Sequence, residues 1–162
     1  MRWEELDREA CSVARTLSVV GDRWTLMILR ECFLGIRRFE GFEARLGIAR
    51  HVLADRLKKL TDAKVLDKVA YQERPRREEY RLTESGLDLY PVLLTLAQWG
   101  DKHMAGVDGP PLLRVHKTCG HVTTGVLKCS ECDEPLSARD VSVKPGPGAD
   151  LDSLPDEVRA RR

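Results

Sequence analysis

Between residues 22 and 99 an apolar helical pattern, a short second one, a third rich in Arg and Lys, and two short strand patterns follow one another with little between them. That order admits few folds. Trp24, Met27, Ile28 and Leu34 recur at helical spacing after the Gly21-Asp22 break, with Asp22 placed to cap the helix and Gly35 to end it. Phe39, Phe42 and Leu46 mark a short helix closed by Gly47. From Ala49 to Leu60, the apolar positions Ala49, Leu53, Leu57 and Leu60 share one stripe, while His51, Ala54, Asp55 and Lys58 project from the other side with Arg50 at its edge. Val65 to Tyr71 and Glu79 to Leu82 alternate as strands around the turn Glu73-Arg74-Pro75-Arg76-Arg77, which predicts a hairpin with a cationic tip. Thr83 then caps a helix running to about His103, kinked at Pro91, with Leu93, Leu96 and Trp99 on its apolar side. Ahead of all these, Leu6, Ala10, Val13 and Leu17 predict one further amphipathic helix.

The order is that of a winged helix-turn-helix, so the expected class is mainly α with a small β-wing. A helix enters a major groove usefully when one side is anchored in a core and the other offers donors. Residues 49 to 60 have that division. Arg50 and His51, in the first turn, are the candidates for base contact, and Lys58 and Lys59, further along, for phosphate. Arg74, Arg76 and Arg77 on the wing suit phosphate or a narrow minor groove. Asp55 either accepts from a cytosine amino group, orients an Arg, or is a solvated helix residue.

Net charge is only +1, but residues 37 to 81 hold 13 Lys and Arg against 8 Asp and Glu, a surplus of five, which leaves −4 for the remainder. The positive charge lies where a DNA-binding face needs it, although an ordinary solvated surface can carry as much. At 162 residues the chain can hold one full core and a small appendix. The expected layout is 1–105 for DNA binding and dimerisation, 106–111 as a linker, 112–143 as a second unit and 144–162 as a tail too poor in apolar mass to do more than stay disordered or form a frayed helix. No internal repeat is read. No apolar run approaches the roughly 20 residues that cross a bilayer, and residues 1–8 mix charges instead of opening a signal peptide, so a cytoplasmic location without membrane attachment is expected.

The stretches "GDRWTLMILRECFLGIRRFEGF", "GIARHVLADRLKKL" and "ERPRREEYRLTESG", with Cys11 before them and Trp99 after, resemble the HxlR family of bacterial transcriptional regulators, relatives of the MarR type. The resemblance covers about residues 8 to 103. It implies a homodimer joined by the first and last helices of the domain, bound to an inverted-repeat operator on double-stranded DNA, with repression as the usual outcome. It also implies that Cys11 serves, as the matching cysteine does in several members, as a sensor of oxidants or electrophiles, with a redox or small-molecule effector. On a continuous helix Arg8 and Arg15 would flank Cys11 and favour its thiolate, the alternative being a small packing residue. Cys32 reads as core. Two positions depart from the family. Ala49 stands where Ser is usual, removing a cap worth about 1 kcal/mol. Lys64 stands where Gly is favoured, so either a left-handed residue there costs about 1 kcal/mol or the turn differs.

Beyond the linker, His116-x-x-Cys119 and Cys129-x-x-Cys132 predict two knuckles able to share one tetrahedral ion, and so a small, β-rich, zinc-ribbon-like unit in which His replaces one Cys. Residues 120–128 would form the hairpin that brings the knuckles together, and His121 is the reserve ligand. Three thiolates and an imidazole saturate zinc, so the role would be structural; a reduced, metal-free ribbon is the alternative. No Ser-His-Asp order, phosphate loop or nucleotide fingerprint supports an enzyme. Two competing functions remain: a winged-helix adaptor for protein contacts, and a thiol-redox enzyme using Cys129 and Cys132.

Overall fold

A computed structural model describes residues 3 to 161; the expected domain limits at Met1 and Arg162 lie outside them. The chain divides into two compact units, one ending at Met104 and the other beginning at Ala105.

In the first unit a 3-10 turn, Trp3–Arg8, precedes α1 (Ser12–Val20), α2 (Arg23–Phe33), α3 (Phe39–Leu46) and α4 (Arg50–Asp62). The hairpin β1 (Leu66–Glu73) and β2 (Arg76–Leu82) comes next, then α5 (Glu84–Leu87) and α6 (Tyr90–Met104). Asp22 caps α2 as its residue type requires, its carboxylate accepting from the N–H groups of Trp24 and Thr25 at 3.0 and 3.2 Å. Gly35 and Gly47 take the left-handed backbone, φ +91° and +60°, that ends α2 and α3 sharply.

The core forms where α2, α3, α4 and the root of the hairpin meet. Ile28, Leu29, Phe42, Leu53, Leu57, Leu60 and Leu66 are fully buried there, with Val20, Ile48 and Val65 beside them. The Phe42 ring meets Tyr80 of β2 edge-on at 6.3 Å between centroids, and the Tyr80 N–H donates to the Arg37 carbonyl at 2.7 Å. The wing is thereby joined to α3 by side chain and to the α2–α3 loop by backbone. One charged group is enclosed: Glu31 is fully buried and accepts from Arg30 and Arg45. Burial alone would raise its carboxyl, but the bonds from Arg45 and Arg30 outweigh that and hold it below its ordinary value.

Four expectations are corrected. The first helix is split: Cys11 is extended at φ −136° and serves as N-cap of α1, so Leu6 and Ala10 do not continue the line of Val13 and Leu17. Ala49 does not belong to the buried stripe, because it precedes the first helical residue of α4, where helical spacing no longer applies; Ile48 fills the core instead. The hairpin turn is shorter than expected. Glu73 pairs with Arg76 and Gln72 with Arg77, so only Arg74 and Pro75 make the turn, while Arg76 and Arg77 belong to β2 and point to opposite faces. Finally, Pro91 does not kink a long helix. Thr83 Oγ1 accepts from the Gly86 N–H at 3.1 Å and caps only the single turn α5; Pro91, lacking an N–H, sits in the first turn of α6, where none is needed.

In the second unit the β structure among the described residues is limited to two isolated bridges, Val115 with Val122 and Lys128 with Pro135. Each spans one expected knuckle, and together they form an internal repeat at an offset of 13 residues, His116 to Cys129, which residue types alone conceal. A 3-10 turn at Leu151–Ser153 and the single-turn helix α7 (Asp156–Arg159) follow.

Candidate nucleic-acid interface

The two faces of α4 define the site. Leu53, Leu57 and Leu60 are fully buried, and His51, Ala54, Asp55 and Lys58 are exposed on the opposite side. Arg56, half-buried between the faces, ties the helix in place: its Nε donates to Asp22 at 2.9 Å, and its Nη1 pairs with Asp55. Asp22 therefore caps α2 and anchors α4 at once. The Arg56 hydrogen bond, together with the Trp24 and Thr25 N–H groups, holds its carboxyl below the ordinary value. Asp55, for which the sequence left three roles open, is exposed and pairs with Arg56.

The predicted contact residues are presented differently from one another. His51 is exposed on the open face. Arg50 is held back against α3, its Nη1 donating to Glu43 at 2.7 Å and its guanidinium lying 4.6 Å above the Phe39 ring. Lys58 pairs with Asp62 one turn on, which raises its pKa. Lys59 lies in the last turn. On the wing, Arg76 Nη2 pairs with Glu78 at 2.9 Å, whereas Arg74 and Arg77 are exposed with no ion pair among the described residues.

Arg37 and Arg38 belong with these residues and were missed. They line a cleft of about 910 Å³ between the α2–α3 loop and the wing, opposite Tyr71, Arg76 and Arg77. Arg38 lies 4.5 Å above the Tyr71 ring, and Arg37 is 3.9 Å from Glu79. The available signal was the Arg-Arg pair that opens the cationic stretch, but its place beside the wing depends on the Tyr80–Arg37 backbone bond. Arg37, Arg38, Arg76 and Arg77 thus line one cleft against three carboxylates, Glu40, Glu78 and Glu79, a small cationic surplus at the wing.

A second surface of the first unit is apolar. Val13, Leu17, Val92 and Leu96, with Ser12, Thr16, Val20, Leu26 and Thr95, line a groove of about 630 Å³ between α1 and α6. No residue of α6 is buried, and Trp99 is 57% exposed. Cys11 is exposed at the open end of α1, next to this groove. The extended backbone at Cys11 takes Arg8 and Arg15 off any shared helical face with it. Cys32 packs against the core, and burial pushes its thiol up to about 12, far from nucleophilic use.

The structure brings the expected metal ligands together in pairs. His116 Nδ1 lies 3.3 Å from Cys119 Sγ, and Cys129 interacts with Cys132, yet among the described residues no three His, Cys, Asp or Glu converge as one metal-holding group. No described helix is long and apolar enough to cross a membrane.

Residues 19–108 match the model of the HxlR-like helix-turn-helix family. An HTH-type transcriptional regulator of Mycobacterium tuberculosis is 46% identical over 140 residues, 86% of this chain and 89% of the relative. That span exceeds the 104 residues of the first unit, so the likeness reaches into the second. The Bacillus subtilis HTH-type regulator YdeP is 33% identical over 103 residues, 63% of this chain and 80% of its own. Among solved structures, the transcription factor PA1607 superposes with a TM-score of 0.76 at 34% identity, covering 85% of this chain and 96% of that one. The redox regulator HypR in its oxidized form superposes at 0.55 with 29% identity, covering 59% of this chain and all of that one.

Proposed function

The chain belongs to the HxlR-like helix-turn-helix family, whose members among its relatives are transcriptional regulators and not enzymes, and from that premise we propose that it is a cytoplasmic homodimeric repressor of an inverted-repeat operator. The observation that carries this reading is α4: a helix with one face in the core and the other, bearing His51, Ala54, Asp55 and Lys58, open, followed in the chain by an Arg-bearing wing. In this reading α4 lies in the major groove, with His51 at base edges. Arg50 joins it there by exchanging Glu43 for a base, or remains on Glu43 and meets phosphate. Lys58, Lys59, Arg74, Arg76 and Arg77 bind the backbone. One such helix covers too few base pairs for useful specificity, and the apolar groove between α1 and α6 supports the reading that a second copy packs there.

Fluorescence anisotropy on duplexes tiled across the gene's own upstream region, over a salt series and against random DNA, tests the reading. One tight, steeply salt-dependent site is expected. His51→Ala should erase discrimination between operator and random sequence, and Arg77→Ala should weaken both equally while lowering the salt slope by about 1. Equal affinity for all duplexes would overturn the proposal. Leu96→Glu should convert a dimer to a monomer in sedimentation; a wild-type chain already monomeric at high concentration sinks the dimer.

A sensing role for Cys11 is favoured by one observation, its exposure at the N-terminus of a helix that lines the dimer groove. Diamide treatment should then release DNA from the wild type and not from Cys11→Ser.

A further inference from the structure

The second unit lacks what usually holds a fold together. None of its described residues is buried, no Trp, Tyr or Phe occurs after Met104, and Val115, Val122, Leu127 and Leu136 are 55, 60, 59 and 43% exposed. A segment of this size without a core needs a cross-link or a metal to keep one shape. Its cysteines are free thiols.

Its backbone nevertheless forms the same turn twice. The N–H of His116 donates to the carbonyl of His121 at 2.9 Å, and the N–H of Cys129 to that of Glu134 at 2.8 Å. Gly120 donates to His116 at 2.7 Å, as Asp133 does to Cys129 at 3.0 Å; Thr123 donates to Arg114 at 2.8 Å, as Leu136 does to Leu127 at 2.9 Å. Each turn closes on a left-handed residue, Gly120 at φ +72° and Asp133 at φ +59°. Gly and Asp are both residues that adopt that conformation readily, so the two turns have the same local backbone logic.

The side chains at equivalent places are metal donors: His116 with Cys129, and Cys119 with Cys132. The 3.3 Å between His116 Nδ1 and Cys119 Sγ is close to the separation of about 3.5 Å that an imidazole and a thiolate have on one tetrahedral zinc. Backbone N–H groups of Glu131 and Cys132 point at the Cys129 sulfur, as donors do toward a ligating thiolate. His121 falls at the place of Glu134, outside the two donor places that the repeat pairs, so the repeat assigns it no ligand role.

We propose that the two turns are the halves of one structural zinc site, ligated by His116, Cys119, Cys129 and Cys132, and that the metal holds the second unit in a single shape. Three sulfurs and one nitrogen select a soft, tetrahedral ion over magnesium or calcium. All four positions are taken by protein, so the site has no open place for substrate.

The test uses the full chain purified without added metal and analysed by elemental mass spectrometry, with cobalt substitution as the spectroscopic check. About one zinc per chain is expected, with the visible absorption of tetrahedral thiolate-bound cobalt after exchange. Cys129→Ser and His116→Ala should fall to about zero, whereas His121→Ala and the conservative His116→Cys should retain the ion. The near-ultraviolet spectrum, which reports only the aromatic-bearing first unit, should be the same in all variants and shows that loss of metal is not loss of the whole fold. Metal-free protein that takes up neither zinc nor cobalt, iron in place of zinc, or zinc kept by Cys129→Ser would each overturn the proposal; release by His121→Ala would overturn the ligand assignment. Operator binding measured on the same samples bears on the regulator reading alone, so the two can fail separately.

Discussion

The two units of this chain organise themselves by different physics. The first holds every aromatic residue and a core in which Phe42, Leu53, Leu57 and Leu60 are fully buried, so its helices are fixed by apolar burial. The second buries none of its described residues and repeats one hydrogen-bonded turn around His and Cys donors. The lesson is that the first unit draws its order from surface removed from water, whereas the second has no such source among its described residues, so the two should respond to different insults.

The widest break between them should come from core truncation. Phe42→Ala is expected to lower the stability of the first unit by about 4 kcal/mol, read by denaturant unfolding with Trp fluorescence. A loss below about 1 kcal/mol would mean that the site collapses or is not the core. Next is the enclosed charge: Glu31→Ala, which leaves Arg45 and Arg30 without their acceptor, should cost about 3 kcal/mol. The same carboxyl and Asp22 set an acid limit. Both are held below their ordinary values of 4.5 and 3.8, so the folded unit binds fewer protons than the unfolded chain, and this stabilisation is complete above those values and lost as pH falls through the lowered ones. A Tm for the first unit unchanged between pH 6 and pH 3 would contradict it.

Smaller effects sharpen the comparison. Lys64, at φ +59°, is the left-handed residue between α4 and β1, and Lys64→Gly should add about 1 kcal/mol to the first unit. In the second unit, Val122→Ala should change stability by less than about 0.5 kcal/mol, because 60% of the side chain is already in solvent. A loss comparable with that of Phe42→Ala would show a hidden core and erase the distinction between the units.

Much of the fold was legible because its signals are local. The cap at Asp22, the stops at Gly35 and Gly47, and the buried line of Leu53, Leu57 and Leu60 each follow from residue type and helical spacing. The misses share one cause. The break at Cys11, the long strands that took Arg76 and Arg77 out of the turn, and the split at Pro91 are choices between alternatives that differ little in local energy and are decided by neighbours. In the candidate site, residue type nominated His51 and the wing arginines as candidates, but the restraint of Arg50 by Glu43 and Phe39, and the place of Arg37 and Arg38 in the wing cleft, needed distant elements to be placed first.

By itself, then, the sequence determined the order of the helices, the two-faced character of α4, the cationic stretch around it and the donor spacing at His116, Cys119, Cys129 and Cys132, since all of these are properties of residues within a few positions of each other. Only the tertiary structure decided which cations share a rim, that Asp22 serves α2 and α4 together, and that the apolar faces of α1 and α6 line one groove. Those are contacts between residues far apart in the chain, and burial and hydrogen bonding select them only once the whole core has closed.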